Sequence, residues 1–500
     1  MAGMKPVFIA IVGAALLVAP AFGDTKPMPK DRNWKVLCPS VEGLLGRAVE
    51  LLTAEMGPLM LRDSDFYTFR VLPVEIEGRS AVGRRNRFVL GTRESSAAIR
   101  ALVKENEVPR NGYLVRTRHE PGTNTVVIAG DRPVDVLYGV ADFVEDGVPF
   151  LADKGNGDGL MYRTQVFDGS PLRPYESRRA PKTPVRSLFT WGHVIDDYHL
   201  FFREMARLKL NRAIIWNDFA PLNAGQVVEC AHSWGVEVYW GFPWGWDTDC
   251  SKSGKIDLEK LAEAVLDDWR RNWKQLPGDG IYFQTFTELS EQTMAGESVA
   301  SRAIRLVNRI SGRMLAEEPE TKIVFGLHAT SVKNDLESIA QVDSRLGILW
   351  EDCGAFPWHW GYASTPGKDD ELVRSILHKT QNASFALKGQ LLQDWNHWEH
   401  QAGPFMLGCA GKMALDHDRR IATSLLEPYN ARWIAEGERV HGIVRLLQSN
   451  PVAPRELNTV TEYNPPFEFQ TAMLAELMWS SEEDYVVIRN RVLKRSKGKN

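Results

Sequence analysis

From Val185 onward the chain alternates short apolar runs with amphipathic ones, unit after unit, and this rhythm restricts the fold more than any other feature. A run of four to eight apolar, β-branched or aromatic residues reads as a buried strand. A longer run with apolar residues three and four apart reads as a helix. "VRSLFTWGH" is followed by "YHLFFREMARLKL", "NRAIIWND" by "AGQVVECAHSWG", and "VEVYWGFPW" by "LEKLAEAVLDDWRRNWKQL". "GIYFQTFTE" is then followed by "ASRAIRLVNRISGRMLAEE", "TKIVFGLHA" by "DLESIAQV", and "RLGILWEDC" by "DDELVRSILHKTQ"; "FALKGQLLQDW" is a seventh strand. Strands this apolar are buried on both faces, as in a parallel sheet wrapped by helices. Seven such units in roughly 230 residues fit a (β/α)8 TIM-like barrel better than a doubly wound sheet. No Gly-x-Gly-x-x-Gly follows an early strand, so the dinucleotide-binding alternative lacks its main signature. The eighth strand is not legible.

The rest of the chain divides around that core. Residues 1–23 read as a signal peptide: Lys5 is the positive start, Val7 to Val18 is almost unbroken apolar, and Ala21-Phe22-Gly23 offers small residues for cleavage. The apolar run is too short to span a bilayer and soon meets Asp24, Lys26 and Lys30. A secreted or periplasmic protein with no membrane contact after cleavage is expected. Residues 24–168 read as a small α+β domain. Its strands are "WKVLCP", "FRVLPVEI", "FVLGT", "GYLVRTRHE" and "TNTVVIAGD". One helix, "ESSAAIRALVKE", is capped by Ser95 or Ser96; another, "PVDVLYGVADFVEDG", has Pro133 in its first turn and Gly147 past its end. The proline- and glycine-rich stretch 169–184 reads as a linker, 185–415 as the barrel and 416–500 as a helical C-terminal region.

In a barrel of this kind the chemistry lies at the C-terminal ends of the strands. Those ends carry Trp191 and His193; Trp216, Asn217 and Asp218; Trp240, Trp244 and Asp247; Glu288; His328; Glu351 and Asp352, then Trp358; and Asp394 and Trp395. The chain holds 16 Trp. Trp234, Trp269 and Trp273 fall within helices and are assigned to the core. Indoles gathered on one rim with carboxylates, amides and imidazoles are the inventory of a sugar site. Indoles stack on the C–H face of a pyranose, polar groups orient its hydroxyls, and two carboxylates flank the glycosidic oxygen. Trp191, His193, Trp216, Asn217, Trp240, Trp244, His328, Trp358 and Trp395 are therefore the expected sugar-binding set. Glu288 ends an apolar run, where its surroundings would raise a carboxyl pKa as a general acid needs. Glu351, Asp352 and Asp394 are the expected partner carboxylates; strand alternation aims only one of the adjacent pair Glu351 and Asp352 inward.

"FVLGTRESSAAIRAL" followed by "TNTVVIAGDRPVDVLYGVADFVEDG" resembles the N-terminal α+β domain of α-glucuronidases and β-N-acetylhexosaminidases. "PVRSLFTWGH" resembles the start of the first barrel strand in those enzymes. The resemblance implies an exported glycoside hydrolase. In the α-glucuronidases a Glu ending strand 4 is the acid, and the base carboxylates follow strands 6 and 7; Glu288, Glu351 or Asp352, and Asp394 stand at matching places. Thr287 precedes Glu288 where the hexosaminidases carry an Asp, and the strand-1 and strand-7 motifs depart from the α-glucuronidases.

Charge and motifs exclude other classes. A net charge of -4 offers no basic face for nucleic acid. His397 and His400 are spaced His-x-x-His rather than His-Glu-x-x-His, so neither a zinc centre nor another cofactor is expected. No Gly-x-Ser-x-Gly elbow marks a serine nucleophile. The expected activity is hydrolysis of an oligo- or polysaccharide. Its rivals are a degenerate carbohydrate-binding barrel and a non-sugar barrel such as a lyase or amidohydrolase.

Overall fold

The computed structural model describes residues 34–57, 72–78, 86–152, 167, 170–190, 195–217, 219–245, 256–287, 291–351, 368–387, 430–431, 433–461, 464–465, 467 and 469–497. The N-terminal unit is a six-stranded sheet. Its strands are β1 (Lys35–Cys38), β2 (Val74–Ile76), β3 (Arg87–Thr92), β4 (Tyr113–Glu120), β5 (Thr123–Gly130) and β6 (Glu176–Arg179), in the order β2-β1-β3-β5-β4-β6. β1, β2, β3 and β5 run parallel; β4 pairs antiparallel with β5, and β6 antiparallel with β4. Strand alternation splits the side chains cleanly. Phe88, Leu90, Val126 and Ile128 join the main core, while Val89, Leu114, Val127 and Ala129 pack on Ile99 of the short helix Ala97–Leu102. Ser96 caps that helix, its Oγ accepting from the Ile99 amide.

Three local expectations need correction here. The helix Gly43–Met56 is absent from the expected elements. The expected linker 169–184 contains β6, which pairs with β4, so the connection to the barrel shrinks to the residues after Arg179. Gly147 does not end its helix: Pro133–Asp142 runs through a π-helical turn, Phe143–Gly147, into Val148–Ala152.

Eight parallel strands then close into a barrel. They are β7 (Val185–Thr190), β8 (Arg212–Trp216), β9 (Glu237–Pro243), β10 (Gly280–Gln284), β13 (Ile323–His328), β14 (Gly347–Glu351), β15 (Ala383–Ala386) and β16 (Glu456–Thr461). A two-stranded ribbon, β11 (Thr293–Met294) and β12 (Glu297–Ser298), leads into the helix Val299–Glu317. β16 lies between β15 and β7. It is the missing eighth strand, and the barrel runs past the expected boundary at 415. The helices Glu438–Ser449 and Phe469–Trp479 flank β16 in the chain, so the expected C-terminal helical region is partly the last unit of the barrel. Among the described residues no helix is long and apolar enough to cross a membrane.

The barrel interior is filled by Phe189, Ile214, Trp216, Tyr239, Tyr282, Val324, Leu349, Ala386 and Val460. Three of its aromatics fit because the next strand offers a glycine. A Cβ added to Gly241 would meet Trp216 at 3.1 Å, one on Gly280 would meet the Tyr239 ring at 2.6 Å, and one on Gly326 would lie 2.0 Å from Tyr282 Oη. The N-terminal end of the barrel is plugged by charge. Arg212 pairs with Glu456 at 2.5 Å and with Glu237 at 2.6 Å, and its guanidinium lies 4.1 Å from the Tyr239 ring centroid. Ser187 donates to Glu456 at 2.6 Å and accepts from Asn458 at 2.7 Å.

The two units share one apolar core and a buried ion network. Glu476 of the helix Phe469–Trp479 meets Arg179 of β6, Arg491 at 2.9 Å, Arg495 at 3.0 Å and Lys209 at 4.0 Å. Arg179 also pairs with Asp142 at 3.3 Å, and Arg495 with Asp146 at 2.6 Å. Burial alone would raise the Glu476 carboxyl, but the four cations outweigh it and hold the group well below its ordinary range.

Candidate active site

The C-terminal ends of β10, β13 and β14 bring polar side chains together inside an otherwise apolar barrel. Register explains why. His328 on β13 stands beside Glu351 on β14, and Gln284 on β10 stands beside Gly326 on β13. With no side chain at Gly326, the Tyr282 ring reaches across β13 to Glu351 on the strand beyond. Tyr282 Oη donates to Glu351 Oε1 at 2.6 Å, and Gln284 Nε2 donates to the same oxygen at 2.7 Å. Gln284 Nε2 also donates to Tyr282 Oη at 2.7 Å. On the other side of the carboxylate, His328 Nε2 lies 3.5 Å from Glu351 Oε2. Glu351 is 1% exposed and His328 2%. Burial, and then the charge of Glu351, push the Tyr282 hydroxyl well above its ordinary pKa, so it stays a donor across the working pH range.

Glu351 thus turns its carboxylate into the barrel. Asp352 lies outside the described residues, as do Glu288, Asp394, Trp191, His193, Trp358, Trp395, Asp218 and Asp247. β10 ends at Gln284, and a turn through Thr285–Thr287 follows, so the expected strand runs past the observed one by these three described residues. That turn is pinned to the end of β13. Ser331 Oγ donates to the Thr287 carbonyl at 2.5 Å, and the His328 amide to Thr287 Oγ1 at 3.4 Å.

The expected indoles separate by strand parity. Trp216 points into the barrel, packing edge-on to Phe189 and Tyr282. Asn217 follows it, buried, with its amide on the Gly241 carbonyl at 2.9 Å. Trp240 and Trp244 do not join them. Tyr239 points inward, so Trp240 points outward, where its Nε1 donates to the Pro277 carbonyl at 2.7 Å. Trp244 stacks on Phe283 with ring centroids 3.5 Å apart, in the layer between sheet and helices. Trp350 is likewise in that outer layer, because Leu349 and Glu351 take the inward positions. These three indoles are buried in the core and present no face to a ligand. Trp234, Trp269 and Trp273 are core residues as expected.

Tyr282 and Gln284 were absent from the expected site. Their signal is the alternation Gly280, Tyr282, Gln284 within "GIYFQ": two polar groups at period two in a strand otherwise apolar.

Residues 69–143 match the glycosyl hydrolase family 67 N-terminus. No curated protein matches the chain. Among solved structures it is similar to CpGH84B, at 10% identity over 95% of this chain and 72% of that one, with a TM-score of 0.48. It is similar to a GH138 enzyme targeting pectin rhamnogalacturonan II, at 10% identity over 91% of this chain and 51% of that one, with a TM-score of 0.48. It is also similar to a family 89 glycoside hydrolase from Clostridium perfringens in complex with PUGNAc, at 9% identity over 91% and 51%, with a TM-score of 0.43. The chain thus spans about half the length of two of these proteins. The residues that match that family's N-terminus lie ahead of a closed eight-stranded parallel barrel.

Proposed function

We propose that the protein is a glycoside hydrolase acting through carboxylates at the C-terminal end of the barrel. The observation that carries this reading is Glu351, a carboxylate oriented by hydrogen bonds where barrel enzymes keep their chemistry. The family 67 type of the N-terminal domain supports the same class. In this reading Glu351 is the partner carboxylate and Glu288 the proton donor, with Asp352 and Asp394 in reserve. Asn217 and His328 are taken with Trp191, His193, Trp358 and Trp395 as the sugar-binding set, Trp216 being packed beneath them in the barrel interior, and the segment 1–23 is taken to direct export. A glucuronidase- or hexosaminidase-like exo-enzyme is the specific form proposed.

The test is a screen of chromogenic glycosides, uronic acids and N-acetylamino sugars included, on wild type, Glu351→Gln and Glu288→Gln. Glu351→Gln should abolish turnover of every leaving group alike. Glu288→Gln should slow a poor leaving group by about 10²–10⁴-fold and an activated aryl group far less. Equal slowing of both by Glu288→Gln removes it as the acid. A second reading, a carbohydrate-binding barrel without hydrolysis, is favoured by the deep burial of Glu351. It expects sugar binding with no turnover, unaffected by Glu351→Gln.

A further inference from the structure

We propose that Tyr282 and Gln284 are positioning residues that hold Glu351 as an ionised carboxylate, which fits it to act as base or nucleophile and not as the proton donor. The inference rests on the hydrolase reading for the role, and on hydrogen-bond geometry alone for the charge state. Tyr282 Oη, Gln284 Nε2 and Glu351 Oε1 form a triangle with sides of 2.6, 2.7 and 2.7 Å. The tyrosine brings one hydrogen to it and the amide two. An ionised Oε1 gives these donors an acceptor. A proton on Oε1 would leave one donor of the buried set without an acceptor, and a proton on Oε2 would reduce Oε1 to a neutral carbonyl oxygen, a weaker acceptor for the same two donors than the carboxylate. Tyr282 can serve in this way because Gly326 leaves its ring a path across β13. Among the described residues the titratable groups facing the carboxylate are Tyr282 of β10 and His328 of β13; Glu456 of β16 acts on Tyr282 from deeper in the barrel.

The role follows from the charge. A proton donor must hold its proton until the glycosidic oxygen takes it, whereas a base or nucleophile must arrive ionised. Two donors on one oxygen favour the ionised form and fix the plane of the carboxylate.

The test reads the charge state directly, without a substrate. Full-length protein labelled with ¹³C at the glutamate carboxyl is compared with its Glu351→Gln variant by difference infrared spectroscopy across pH. At pH 7 the difference should contain the carboxylate band and no protonated-acid band. Tyr282→Phe, which keeps the ring and removes the donor, should raise the pH at which the acid band appears by about one to two units, about 10–100-fold in proton affinity. Gln284→Met should move it the same way, and carries the test alone if Tyr282→Phe does not fold. An acid band at pH 7 in the wild type, or a midpoint that neither variant moves, overturns the proposal. With an active glycoside in hand, Tyr282→Phe should lower kcat at unchanged KM and shift the acid limb of the pH profile upward. A moving infrared band in a protein that hydrolyses nothing would sink the hydrolase reading and leave the charge assignment standing.

Discussion

Gly326→Ala is the smallest change that should damage the candidate site. Gly326 has no left-handed backbone to protect, so the only obstacle to a methyl group is the neighbouring side chain. That methyl would sit 2.0 Å from Tyr282 Oη, 2.4 Å from Cζ and 2.8 Å from Cε2, where ordinary contact begins near 3.4 Å. The tyrosine must retreat by about 1.4 Å, the difference between 3.4 and 2.0 Å. A bond of 2.6 Å does not survive that retreat, so Glu351 loses its Tyr282 donor. Overpacking costs about 1–3 kcal/mol. The lost bond to a charged group costs about 1.5–3 kcal/mol more. The expected total is about 2.5–6 kcal/mol, read as a lower urea midpoint at unchanged m-value. Tyr282→Ala removes the obstacle, so adding Gly326→Ala to it should cost little, and the cycle should show a coupling above about 1 kcal/mol. A cost below about 1 kcal/mol for Gly326→Ala alone, or strict additivity with Tyr282→Ala, would refute the packing argument.

Glu476 should dominate acid stability. Its folded pKa lies well below the unfolded value of about 4.3, so its contribution is complete above that value and lost as pH falls toward the folded one. Glu476→Gln leaves Arg179, Arg491, Arg495 and Lys209 without their shared counter-ion and should cost about 3–5 kcal/mol at pH 7. Urea midpoints taken from pH 7 to 3 should then fall less steeply than in the wild type; equal slopes would clear Glu476 of the role. Trp240→Phe should destabilise by about 1–3 kcal/mol, through a small cavity and the loss of its bond to Pro277, while leaving kcat/KM for any glycoside unchanged. A specific loss of sugar affinity would return Trp240 to the ligand face.

The barrel was legible because seven of its strands are apolar on both faces, and such runs resist a loop reading. β16 was not, for the reason that it plugs the barrel. Its inward residues Glu456 and Asn458 serve Arg212 and Ser187, so "ELNTVT" reads as polar chain although all six residues are buried. β6 was hidden in the same way, because "ESRR" is a charged edge strand among prolines. At the site, spacing located the strand end at Glu351 but not its direction. Direction depends on register, which seated His328 beside Glu351 and pushed Trp240 and Trp350 outward. Aromatic clustering at strand ends was a weaker guide than parity, since an indole at an outward position fills the helix–sheet layer just as well.

The late position of β16 has a consequence for the order in which the barrel can form. Asn458 and Ser187 are register partners 271 residues apart, so the first and last staves of the barrel cannot meet until all the strands between them have been made. Closing a loop of that length costs about 5 kcal/mol of chain entropy before any contact across the seam offsets it. Until then β7 and β15 are open edges, and the buried cations Arg179 and Lys209 wait for Glu476, which arrives later still. Barrel closure is therefore a late, long-range event in folding, and the strands β7 to β15 must be held by local packing until β16 completes the ring.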